Sequence, residues 1–215
     1  YGWLAEPPPA RPASPPPGNF RQHQPLGLAH AADDLLLELL GFTEVNRSDE
    51  TVTSATPKQT DGYILTRFVD KYGRPVCFAY AGGTDLADLE SVFVDTATVS
   101  GSVNYRLAGS GVVYPTYHSK LVPDLCDRLT ASVDDARAAK NRVWTAATTT
   151  GATVGRLSDL TDTLVILPKL FRRLVDYLAL GTPDVDLAGF REFLAARDDR
   201  LLILPTGHRP PTRNP

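Results

Sequence analysis

Methionine is missing from all 215 residues, cysteine and tryptophan occur twice each, and no run of about eighteen apolar residues exists. Without such a run the chain holds no candidate transmembrane helix. It opens at Tyr1, so the start of its reading frame is expected upstream, and whether a secretory leader stood there is left open. Cys77 falls in a predicted strand and Cys126 in a predicted helix. Without CxxC or Cys/His spacing, the two thiols read as small buried hydrophobes rather than metal ligands or a disulfide. Strong positive charge is also absent. The net charge is −3 and the pI about 5.8, which argues mildly against strong non-specific binding to nucleic acid. The four histidines, His23, His30, His118 and His208, share no metal spacing, and neither a GxSxG elbow nor a P-loop occurs. Nothing in the sequence encodes a compartment or an oligomeric state.

What remains is globular in composition, with 42% hydrophobic and 22% charged residues, enough for one domain and an appendage. Residues 5–18 hold seven prolines, which remove donors and fix φ, so residues 1–25 read as an extended tether or loop. After Pro25, Leu28, Ala32, Leu35, Leu36 and Leu39 recur at helical spacing with Asp33, Asp34 and Glu38 opposite, and Gly41 suits the C-terminal end. Residues 43–60 are rich in Thr and Ser without clear period and predict loop with at most a short strand. Residues 63–69 and 75–80 are rich in β-formers around the polar segment DKYGR and predict a hairpin, with Gly73 taking the awkward dihedral. An acidic loop follows, with Asp85, Asp88 and Glu90. A short helix from Val103 is stopped near Gly109 or Gly111, and a longer one runs from Pro123 to about Val143, closed by Trp144. A Thr/Ala/Gly linker (145–155) leads to a helical extension (156–215). Its two amphipathic helices are LPKLFRRLVDYL and DLAGFREFLAARDD, the second capped by Asp186; a strand-like RLLIL and a Pro/Arg-rich end follow. The apolar face of the first, with Leu170, Phe171, Leu174, Val175 and Leu178, reads as internal packing, because only three basic residues accompany it.

One ordered set points further: Asp70-Lys71-Tyr72-Gly73-Arg74, an alternating strand, Gly82-Gly83, Val103-Asn104, Gly111, Tyr117, and a helix closing on Trp144. In this order the chain resembles the staphylococcal nuclease, or thermonuclease-like, family over roughly residues 60–144, and more faintly over the helix from 26. The resemblance implies an α+β fold built on an OB-type barrel with helices. It also implies calcium-dependent hydrolysis of DNA or RNA phosphodiesters. By the same resemblance Arg74 is the catalytic arginine that contacts the scissile phosphate, Lys71 and Tyr72 approach a terminal phosphate, and Tyr117 packs on a base. A guanidinium suits that role because its planar fork donates two hydrogen bonds and never deprotonates.

The departures are as informative as the match. In that family the calcium-binding carboxylates and a second arginine precede the helix that residues 26–40 resemble. Here residues 1–25 contain no Asp, one Glu (Glu6), and Arg11 and Arg21. Calcium needs several oxygen ligands, so no calcium site can be written from this stretch, and no metal ligand is assigned. Nor does it contain alternating apolar runs for the first barrel strands. The nuclease-like domain (26–144) is therefore expected to be truncated, to form a partial barrel with an open edge, and to be inactive by itself. Two other readings stand beside this one. The same fold can serve as a non-catalytic module for single-stranded DNA, RNA or protein, and DKYGR can be an ordinary turn with Arg74 and Lys71 as solvated charges, Tyr72 and Tyr117 as rim or core aromatics, and Asn104 tying a helix start to nearby backbone.

Overall fold

A computed structural model describes residues 22–49, 51–70, 72–118, 120–179 and 187–197. The class is α+β. Helix α1 (Leu26–Leu39) leads into strands β1 (Glu44–Ser48), β2 (Thr51–Thr56), β3 (Gly62–Val69) and β4 (Pro75–Ala81). Helices α2 (Thr96–Ser100), α3 (Val103–Ser110), α4 (Pro123–Ala138) and α5 (Val143–Ala146) follow, then α6 (Pro168–Leu178) and α7 (Phe190–Ala195). Among the described residues the strands make two separate antiparallel hairpins, β1–β2 and β3–β4, and no sheet closes into a barrel.

The hairpin β1–β2 lies where the sequence predicts loop. Its residues are mostly Thr, Ser and Val, with eight of the eleven exposed, so it carries β-propensity without the apolar alternation that betrays a half-buried strand. It is held to α1 by Arg47, whose guanidinium bridges Asp33 at 2.5 Å and Asp34 at 2.9 Å. The predicted C-terminal glycine of α1 is in place: Gly41 adopts φ +99° and its N–H donates to the Glu38 carbonyl.

Helices α2 to α4 form the layer beneath β4. Asp95 caps the five-residue α2 by accepting from the Thr98 N–H and hydroxyl at 2.7 Å each. Buried Ser102 caps α3 by accepting from the Tyr105 N–H, and its own hydroxyl donates to the Val99 carbonyl. Val99, Leu125 and Leu129 are the buried centre of this layer, with Phe78, Tyr105 and Tyr117 against them. Gly111 ends α3 at φ +74°, and a Cβ there would stand 2.7 Å from the Asn141 carbonyl oxygen, so both the dihedral and the space demand glycine. The predicted helix 123–143 stops earlier, at Ala138. Lys140 and Arg142 take left-handed φ of 52° and 47°, and Trp144 sits in α5 with Tyr114 edge-on at 5.1 Å and the Arg137 guanidinium 4.5 Å from its ring centre.

Seven buried residues between Val154 and Val175 form the other core, with Leu160 and Ile166 wholly buried and Leu178, Leu187 and Phe190 packed against it. As the sequence predicts, the apolar face of α6 faces inward, through Phe171, Leu174 and Val175. The segment ahead of it joins the same unit: Ala147 bridges Val165, and Val154 belongs to the core. Asp186 and residues 200–204 lie outside the described residues. Both cysteines are free and half-buried, and burial raises both thiols above their ordinary range.

Candidate functional site

The chemistry the sequence singles out gathers at the closed end of β3–β4. Val69 pairs with Pro75, and the Asp70 N–H donates to the Arg74 carbonyl, so the chain reverses between Asp70 and Arg74. Gly73 takes φ +78°, the left-handed residue that a three-residue hairpin loop requires. The Asp70 carboxylate organises this turn. One oxygen accepts from the backbone N–H groups of Tyr72 at 2.8 Å and Arg74 at 3.0 Å; the other accepts from the Arg74 guanidinium, at 2.7 Å from Nε and 2.6 Å in the second contact. The guanidinium, then the backbone N–H groups, hold the Asp70 carboxyl down to about 2, and Asp70 in turn holds Arg74 more firmly charged.

Arg74 is thus fixed along one side and open along the rest. Its side chain is 73% exposed, and its guanidinium carbon lies 5.0 Å from the centre of the Tyr72 ring, itself 69% exposed. Lys71 lies outside the described residues. Tyr117 sits elsewhere: it is half-buried against the Val99, Leu125 and Leu129 cluster, hydrogen-bonded to the Thr130 hydroxyl at 3.0 Å, and burial raises its phenol. Arg74 and Tyr72 are brought together, and Tyr117 is packed into the helical layer.

A second basic and aromatic group lies just inside the turn. The Lys120 ammonium is 4.9 Å from the centre of the Phe68 ring, and His118 meets the same ring edge-on at 5.9 Å. Sequence reasoning missed this group because Phe68 reads as a strand hydrophobe and the two basic residues are some fifty positions away. The available signal was basic residues interleaved with an aromatic, Tyr117-His118 followed by Lys120. Asn104 performs the predicted tie from α3 to backbone. Its side-chain oxygen accepts from the Ala79 N–H at 2.9 Å and its amide donates to the Cys77 carbonyl at 3.3 Å, occupying the outer edge of β4.

Among the described residues no three of His, Cys, Asp or Glu gather as a metal group. Asp70, the acid beside Arg74, already gives both oxygens to hydrogen bonds. Comparison with models of known families, with curated proteins and with solved structures finds no match in any of the three.

Proposed function

We propose that the chain is the phosphate-engaging part of a thermonuclease-like phosphodiesterase, that the end of β3–β4 is its surface for single-stranded DNA or RNA, and that it binds without cutting when alone. One observation carries this reading: Arg74, braced by Asp70, presents an exposed and permanently charged fork over Tyr72, with Lys120 and His118, from the segment before α4, on Phe68 of β3. Such a surface combines cations for the backbone with ring faces for bases of any kind. In this reading the two hairpins are part of an OB-type barrel that further strands would complete. Hydrolysis would need oxygen ligands for calcium, and both oxygens of Asp70, the acid beside Arg74, already accept hydrogen bonds.

A labelled single-stranded DNA oligonucleotide tests this, titrated into the chain in chelator at several salt concentrations. Binding should survive chelation, weaken with salt, and lose about one unit of salt slope in Arg74→Ala. Tyr72→Ala should weaken it by a few-fold to tenfold or more, since stacking on one ring contributes about 1–3 kcal/mol per base. Unchanged affinity and slope in both variants would remove the surface from consideration. Calcium-dependent cleavage by the chain itself, abolished in Arg74→Ala, would overturn the claim of inactivity while keeping the family.

A further inference from the structure

A different part of the molecule holds a cavity of about 480 Å³, far from DKYGR in sequence and unrelated to it in lining. Its walls are the first turn of α1 (Pro25, Leu26, Leu28), the strip Val112–Tyr114 with Val143 and Val165, and the first turn of α6 (Pro168, Phe171). The surface is overwhelmingly apolar. Its polar groups are largely engaged already: the Gln24 side-chain oxygen accepts from the Ile166 N–H at 2.7 Å, the Tyr114 hydroxyl donates to the Val165 carbonyl at 3.3 Å, and His23 is held against the Gln24 carbonyl at 3.0 Å.

The charge around this cavity has one sign. Among the described residues no Asp or Glu lines it, and Arg172 does so from an exposed position. The two helices that open onto it, of fourteen and eleven residues, have no acidic residue in the first turn and no side-chain cap, so neither supplies a negative group of its own to its positive dipole end. Arg172 is the one Asp, Glu, Lys or Arg side chain among the described lining residues, so at the rim an anionic group is favoured over a cation. An apolar chain ending in a single negative group satisfies both features.

We propose that this cavity binds a free amphipathic monocarboxylate, its hydrocarbon part between α1 and α6 and its carboxylate on Arg172. A cavity of about 150 Å³ accepts a benzene-sized group, so this one has room for a chain of about ten carbons or a two-ring acid. A free acid fits better than a bilayer surface, because the lining adds one arginine and no basic cluster of the kind that anionic headgroups attract.

Titration calorimetry with decanoate, decanol and decyltrimethylammonium on the whole chain tests the proposal. Decanoate should bind saturably at one site per chain, decanol at least tenfold more weakly, and the cation without saturation. Arg172→Gln, an exposed position, should bring decanoate binding down by tenfold or more towards that of decanol and leave decanol within twofold. Ala29→Trp, at the exposed lip of the cavity, should abolish both, with circular dichroism and melting confirming that each variant is folded. Phosphatidylglycerol vesicles should neither bind the chain nor displace decanoate; displacement would assign the site to membrane lipid and overturn the free-acid proposal. Equal binding of all three ligands, no saturable binding of decanoate, or an Arg172→Gln variant indistinguishable from the parent chain would each overturn it too.

Discussion

Between Ala152 and Phe190 the chain folds around seven buried residues, two of them at 0% exposure, whereas the four strands bury only Tyr80. The helical unit behaves as a closed core, with α6 laid on the 154–166 segment and the ring of Tyr177 packed on Phe190 and Phe193. The hairpins have the opposite character. A lone two-stranded ribbon is marginal in water, and these two hold their place by point attachments: Arg47 to α1, Asn104 to β4, and Tyr80, which stacks on Tyr63 at 4.7 Å and donates its hydroxyl to the Thr98 carbonyl. Burial stabilises the first unit; the hairpins are positioned by hydrogen bonds and stacking at a few residues, with Phe78 of β4 packed on the Val99, Leu125 and Leu129 cluster.

Five substitutions test how far this contrast holds. Ile166→Ala should cost about 2–5 kcal/mol, because its site is wholly enclosed and cannot collapse; thermal melting with a cooperative shift checks it, and a loss below 1 kcal/mol would mean the unit is not a rigid core. Asn104→Ala removes two hydrogen bonds at once and should cost about 1–3 kcal/mol, with amide exchange rising first at Cys77–Ala79. Gly73→Ala forces a Cβ into φ +78° in open space, so only the dihedral is penalised, at about 1 kcal/mol.

The fourth concerns pH. Asp70 titrates at about 2 in the folded chain, below its ordinary value of 3.8. Its contribution is therefore complete above pH 4 and lost as the pH falls from about 4 through 2. Asp70→Asn, which stands in for the protonated acid, should flatten that part of the stability profile by lowering it above pH 4, by little because the pair is solvent-screened, and should match the parent chain near pH 2. Last, Ile64→Thr, at a site 50% exposed, should change stability by no more than about 0.5 kcal/mol. A larger loss would show that the exposed face of β3 is covered in solution.

The helices were legible where one face is apolar at a period of 3.6, as in α1, α4 and α6. The β3–β4 hairpin was legible because its β-formers flank a polar turn containing Gly73. Elements sustained by single interactions were not. The hairpin β1–β2 has no apolar face to announce it, α2 is five residues depending on the Asp95 cap, and the break after α4 requires left-handed φ at Lys140 and Arg142, which no residue preference signals. At the candidate site, the sequence marked Arg74 and Tyr72 because both belong to one turn. It did not reveal that Asp70 spends both oxygens on that turn, nor that α4 draws Tyr117 into its core layer. Lys120 and His118 needed the fold to bring them to Phe68.

Asn104 imposes a direction on the sheet. With its carboxamide seated on the rim of β4 like a clip, polymerisation from that flank is sterically denied, and any further ribbon must enlist on the β3 flank instead. A single side chain thereby takes up two of the ladder groups on one border of the ribbon, while on the other border Arg67 bulges out of register.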